Sequence, residues 1–270
     1  MRINRSPFGR TPTGYSIQAS DHGVEILLYD EISFFGINAQ GFVRDLKAVD
    51  AGKIVLRINS PGGNVFDGLA IYNALVTHPA RIEVHIDGVA ASMASIVALA
   101  GDEIHMASNA FFMIHEPWSI VLGPAEDLRR EADLLDKMTG VMAETYVGKT
   151  GAEMGEVTAW MEAETWFTAA EAKDAGFIDH ITKADKKSAA AQFDLSVFAN
   201  APDGLGAGNA VPSERELERR LRDAGLSRSE AKAHVAEVRK TIAQRDAGDD
   251  GIGGCDADKQ ALAARIRRLI

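Results

Sequence analysis

Ile82-Glu83-Val84-His85-Ile86-Asp87-Gly88-Val89-Ala90-Ala91-Ser92-Met93-Ala94-Ser95-Ile96-Val97-Ala98-Leu99-Ala100 is the stretch that decides the fold. Ile82 to Ile86 reads as an apolar strand and Ile96 to Ala100 as part of an apolar helix, with small residues filling the turn between them. A serine in a tight strand-to-helix bend has its Oγ exposed, while the helix dipole and the following N–H face the same point. That placement suits Ser92 as a nucleophile, although the same residue could serve only as a helix N-cap. Ser95 lies one turn further on and competes for the role. It would be drawn into the apolar helix, away from the bend, which favours Ser92.

Upstream, Arg57-Ile58-Asn59-Ser60-Pro61-Gly62-Gly63-Asn64 repeats the strand-to-helix passage through a proline and two glycines. Paired glycines let a backbone approach a substrate closely and point an N–H outward at a helix N-terminus, where developing negative charge is best held. An ordinary turn would look the same in isolation. Downstream, Phe111-Phe112-Met113-Ile114-His115-Glu116-Pro117 ends an apolar strand on a histidine before a proline stop. A base that titrates near neutrality is what a serine hydroxyl needs. His78, His85, His105, His180 and His234 show no ligand-pair spacing with His115, so no metal is expected there.

The wider pattern alternates strands at Val24–Leu28, Ile54–Asn59, Ile82–Ile86, Glu103–Met106 and Phe111–Ile114 with helices. One helix carries Leu69, Tyr72, Leu75 and Val76, and a longer one runs from about Pro124 to Val147 with Leu128, Leu135, Met138 and Met142 at helical spacing. Alternation of this kind predicts an α/β fold with a largely parallel sheet. Residues 1–23 lack hydrophobic period and read as a loosely ordered arm, with a folded core spanning 24–185. Residues 186–212, rich in Ala, Asp and Gly, read as a linker. Beyond it, Ser213-Glu214-Arg215-Glu216 and Ser227-Arg228-Ser229-Glu230 are capping boxes that open a helical hairpin in a tail over 213–270.

Composition narrows the function. The 270 residues are 46% hydrophobic with a net charge of −10, enough for one core and an appendage. An acidic chain argues against general nucleic-acid binding, and residues 213–246 hold nine Lys and Arg against seven Asp and Glu, too balanced for a phosphate-contact face. There is no run of 18 apolar residues and no signal-peptide pattern, so a cytoplasmic protein without a membrane partner is expected. The single cysteine, Cys255, cannot form an internal disulfide and lies in a Gly/Asp-rich stretch.

The Ser-Pro-Gly-Gly turn at Ser60–Gly63, the serine motif around Ala91-Ser92-Met93 and Met113-Ile114-His115-Glu116-Pro117 together resemble the Clp protease proteolytic subunit (ClpP) family, in the same order and at similar separation. The resemblance continues through Trp166-Phe167-Thr168-Ala169-Ala170-Glu171-Ala172-Lys173-Asp174-Ala175-Gly176-Phe177-Ile178-Asp179 and spans roughly residues 25–182. It implies a crotonase-like ClpP fold (a ββα-superhelix), here with a C-terminal helical extension. It also implies homo-oligomeric rings acting on protein or peptide substrates through an acyl-enzyme, without a cofactor. Carried over, Ser92 is the nucleophile, His115 the base, and the N–H groups of Gly63 and Met93 the oxyanion donors. The family's aspartate position holds Glu164, whose extra methylene requires a shifted backbone; Glu162 is the alternate. The N-terminal segment does not resemble the family's axial loops, which argues against docking of an unfoldase ATPase.

An arm, a ClpP-like core and a linker-joined helical tail are similar to phage head maturation proteases, implying capsid or scaffold proteins as partners and self-cleavage within the linker. The competing readings are a Clp-type housekeeping subunit, an acyl-CoA enzyme of the crotonase superfamily, and a non-catalytic ring-forming assembly protein.

Overall fold

The computed structural model describes residues 14–20, 23–33, 36–184, 193, 195, 197–202 and 232. At its centre is the strand that the serine motif announces, longer than the sequence suggests: β4 here, Arg81–Ala91. In chain order it is preceded by β1 (Tyr15–Ser20), β2 (Gly23–Leu28), helix α1 (Ala39–Leu46), β3 (Lys53–Ser60) and α2 (Val65–Val76). After it come α3 (Met93–Ala98), β5 (Glu103–Ala107), β6 (Phe111–Ile114), α4 (Ala125–Thr150), α5 (Met154–Glu162), β7 (Thr165–Thr168), α6 (Ala169–Asp174) and β8 (His180–Thr182).

The eight strands form one sheet in the order β1-β2-β3-β4-β5-β8, with β6 joining β4 and β7 off this path. Strand β4 changes neighbour along its length. Its first half pairs with β5 from Glu83 to Ile86, and its second half pairs with β6 from Val89 to Ala91. The pairings β2–β3, β3–β4, β4–β5, β4–β6 and β5–β8 are parallel, while β1–β2 and β6–β7 are antiparallel. Between Ile58 and Ser60 the β3–β4 register shifts. The buried Asn59 side chain takes up the slack, its Oδ1 accepting the Val89 N–H at 3.0 Å. Gly88 is required beside it, since a Cβ there would come within 2.6 Å of Asn59 Oδ1.

Alternate residues of the central strands, Ile54, Leu56 and Ile58 on β3 and Ile82, Val84 and Ile86 on β4, are buried. They share one core with Ile71 and Leu75 of α2 and Ile96 and Val97 of α3. Burying each such side chain contributes roughly 1.5–3 kcal/mol. Local signals set the helix ends. The Asn64 side chain accepts from Asp67 N–H to start α2, a Thr168/Glu171 capping box starts α6, and α4 stops at Gly151 in the left-handed region. The opposite sheet face is polar and half-buried, carrying Lys53, Glu83, His85, Glu103 and His105.

Two boundary expectations need correction. The ordered part begins before Val24, because Tyr15–Ser20 is a strand in full antiparallel register with Gly23–Leu28. Tyr15, packed edge-on against Phe42 and bonded to Asp45 at 2.7 Å, anchors it, and that partner lies thirty residues away. The segment read as a linker also packs. Leu195 is 2% exposed, and Phe193 and Phe198 lie against Val89, Ala91 and Met113. By its contacts the chain divides into Met1–Leu205 and Gly206–Ile270, later than the boundary placed near residue 185. The capping boxes of the tail and Cys255 lie outside the described residues.

Candidate active site

Ser92 sits where β4 gives way to α3, with φ 53° and ψ −128°. A non-glycine residue with positive φ carries strain of about 1–3 kcal/mol and persists only where its surroundings fix it. Here the Ser92 N–H donates to Met113 O at 3.0 Å, tying the bend to β6, and Ser95 N–H donates to Ser92 O at 2.9 Å. The Ser92 side chain makes no capping hydrogen bond to the helix. Its Oγ instead lies 2.8 Å from His115 Nε2, which disposes of the simple N-cap role.

His115 follows the last residue of β6 and is 7% exposed. Burial holds its pKa below the ordinary histidine value, partly offset by the negative charge of Glu164. A buried imidazole kept neutral retains a lone pair for the serine proton, the condition a general base must meet. With the Nδ1–H tautomer assigned, the Ser92 hydroxyl donates to Nε2.

The glycine turn lies directly against this bend. Gly62, with φ 91°, comes so close that a Cβ would meet Ala91 O at 2.5 Å and Met93 N at 2.8 Å. Ser60 Oγ accepts the Gly62 N–H at 3.2 Å and donates to Asp30 O at 2.6 Å, fixing the turn from below. Gly63 is bridged to Ile32, whose N–H donates to Gly62 O at 2.7 Å and whose carbonyl accepts Asn64 N–H at 2.8 Å. Met93 N–H opens α3, where first-turn amides have no acceptor within their own helix. Beneath both bends, Asp87 accepts from Arg57 Nε at 2.9 Å and from the Tyr29 hydroxyl. Burial and the Asp87 carboxylate push the Tyr29 pKa up, so the phenol stays a donor.

The other candidates separate clearly. Ser95 is fully buried, and its Oγ is held by the Tyr146 hydroxyl at 2.8 Å. Glu162 is exposed at the end of α5. Glu164, at φ 47°, is the second non-glycine residue at positive φ among the described residues. Among the described residues no hydrogen bond joins it to His115. Its carboxylate instead accepts Ala199 N–H at 2.9 Å, Asn200 N–H at 2.6 Å and Trp166 Nε1–H at 3.3 Å. The residues that sequence reasoning missed are therefore Phe198, Ala199 and Asn200. Their one signal was the apolar alternation of Phe193-Asp194-Leu195-Ser196-Val197-Phe198 inside an otherwise linker-like composition. Among the described residues the group able to hold a metal, Glu83, His85 and His105, includes no member of this site.

The sequence profile of the family described as Clp protease matches residues 37–185, more than half of the chain. The chain belongs to the Clp protease family. Its relatives include the ATP-dependent Clp protease proteolytic subunit 1 of Mycobacterium bovis, 33% identical over 176 residues, which cover 61% of this chain and 88% of the relative. The subunit of the same name from Corynebacterium jeikeium is 33% identical over 179 residues, 62% of this chain and 95% of that one. A solved ClpP1 variant from Listeria monocytogenes matches with a TM-score of 0.53 at 22% identity, over 61% of this chain and 93% of that chain, which establishes the shared fold.

This Clp protease family member is thus a serine-type endopeptidase with the ClpP fold. The family forms oligomeric rings and acts on protein substrates. No helix among the described residues is long and apolar enough to cross a membrane. The family match ends at residue 185, so the strap-like segment against Glu164 lies beyond it.

Proposed function

We propose that this peptidase cleaves peptide bonds with Ser92 as nucleophile, His115 as general base and Glu164 as the acid of the triad. The 2.8 Å contact between Ser92 Oγ and His115 Nε2, at a bend that leaves Oγ free of any capping role, carries the reading. As Oγ adds to the scissile carbonyl, its proton passes to Nε2. The N–H groups of Gly63 and Met93 hold the oxyanion, and the imidazolium then protonates the leaving amine. Water deprotonated by the same imidazole hydrolyses the acyl-enzyme. The test is fluorophosphonate labelling of the full chain: a label mapped to Ser92 and lost in Ser92→Ala supports the reading, and an unlabelled Ser92 refutes it.

The substrates proposed are capsid or scaffold proteins during phage head maturation. Support comes from residues 186–270, whose sequence extends beyond the family match. The names of the relatives favour a second reading, a Clp-type housekeeping subunit. Co-expression of the wild type or Ser92→Ala with capsid and scaffold proteins of the source genome separates the two. Cleavage that requires Ser92 and no ATPase supports maturation; proteolysis only in the presence of an unfoldase supports housekeeping.

Assembly of this chain into rings is part of the same proposal. Helix α4 carries the exposed Leu128, Leu134 and Val141, large apolar side chains that a neighbouring copy would cover.

A further inference from the structure

Three histidines stand in one row across three neighbouring parallel strands. His85 on β4 is in register with His105 on β5, which is in register with His180 on β8. Their rings stack at 4.7 and 4.9 Å. His85 Nε2 is 2.8 Å from Glu83 Oε1, whereas the buried His105 Nε2 makes no hydrogen bond. The donor atoms of Glu83, His85 and His105 all lie within 4.8 Å of one another.

We propose that Glu83, His85 and His105 form a site for a divalent zinc-class cation on the polar sheet face, away from the Ser92 centre. Two imidazoles and one carboxylate are a ligand set suited to zinc, with bonds of about 2.0–2.2 Å and an open fourth position for water. Lys53 holds the far oxygen of Glu83 at 2.6 Å, so Oε1, paired with His85 Nε2, is the oxygen turned toward the site. Glu103 Oε1, 3.3 Å from His105 Nε2 and 3.1 Å from His180 Nε2, lies beside the site to receive a proton from bound water.

The experiment is titration of the metal-free full chain with zinc chloride by calorimetry, alongside His105→Phe, which keeps a stacked ring and removes the nitrogen. Micromolar binding at one ion per chain in the wild type, weakened at least tenfold in His105→Phe and accompanied by a zinc-dependent rise in Tm only in the wild type, is expected. No wild-type binding, or equal binding by His105→Phe, overturns the site.

A separate observation concerns the triad and rests on the reading of it given above. The segment that carries Phe193, Leu195 and Val197–Asn200 covers it from outside. Phe198 meets the His115 ring edge-on at 5.5 Å and the Trp166 ring at 5.6 Å. Ala199 and Asn200 give both backbone N–H groups to the Glu164 carboxylate, and Asn200 Nδ2 donates to Ala163 O at 2.9 Å. We infer that this strap restrains the enzyme by holding Glu164 off His115 and shielding the imidazole, so that its release joins acid to base.

Full-chain Ala199→Pro deletes one of the two amide donors and Phe198→Ala the ring over His115, and neither replaces a catalytic group. Labelling of Ser92 by the fluorophosphonate is expected to be slow in the wild type and at least fivefold faster in both variants. Unchanged or slower labelling in the variants overturns the strap while leaving the Ser92–His115 reading intact. An unlabelled Ser92 in all three proteins would overturn the reading and the strap together.

Discussion

The hydroxyls of Ser95 and Tyr146 share a 2.8 Å hydrogen bond inside the core, so the second serine of the motif serves the structure. Removing one partner leaves the other buried and unsatisfied. Ser95→Ala is therefore expected to lower stability by about 1–3 kcal/mol while Ser92 still takes the fluorophosphonate label. Denaturant midpoints and peptide mapping of the wild type and Ser95→Ala check both halves.

The pH profile follows from His115. Its base form is the neutral imidazole, and burial holds its pKa below the ordinary value. The rate of Ser92 labelling should thus stay level as pH falls through about 6.5 and decline only at more acid pH. Glu164 raises that pKa, so Glu164→Gln moves the acid limb further down. An inflection above 6.5, or a shift upward in Glu164→Gln, would contradict the assignment.

Glu164 and Glu162 differ in what they can reach. Glu164→Gln is expected to reduce kcat by roughly 10²–10⁴-fold, in the range seen when a triad acid loses its charge, with the fold unchanged by circular dichroism. Glu162→Gln, at an exposed position, should be close to wild type. Equal losses in both would remove Glu164 from the triad.

At Gly62 the expected effect is steric. A Cβ would meet Ala91 O at 2.5 Å and Ser92 Cβ at 2.7 Å in a residue already at φ 91°. Gly62→Ala should lose at least 1–3 kcal/mol of stability by backbone strain alone, roughly, and Ser92 labelling with it. Thermal unfolding and labelling of the same sample measure the two together.

Assembly should be sensitive to charge on α4. Leu128→Asp combined with Val141→Asp places carboxylates on two exposed positions, where the effect on the isolated chain should stay within about 0.5 kcal/mol per site. Sedimentation velocity is expected to show a smaller species than the wild type. An unchanged oligomer would put the interface elsewhere.

Much of this architecture was legible because strands β3, β4 and β6 are apolar and each ends in its own motif. Ser92 and His115 could be placed at strand ends from the residues alone, and their approach followed from the parallel pairing of β4 with β6. Strand β1 was hidden by the Gly, Ser and Thr around it, since what holds Tyr15 is Phe42 and Asp45, distant in sequence. The left-handed backbones at Ser92 and Glu164 were equally unreadable. Each is imposed by neighbours, Met113 O for the first and the strand-helix junction for the second, and no local propensity predicts it. The segment from Phe193 to Asn200 was masked by the composition around it, because a few well-placed aromatics dock a chain that its average residue would leave free.

Asn59 spans the register shift between β3 and β4, one strand leading to Gly62 and Gly63 and the other to Ser92. A single amide is thus the common datum for both turns, so thermal or mutational displacement there is inherited by the electrophile-stabilising and nucleophilic loops alike. The alignment tolerance of the centre is set three to four residues short of either group, at a position where selection could retune reach without altering any reacting atom.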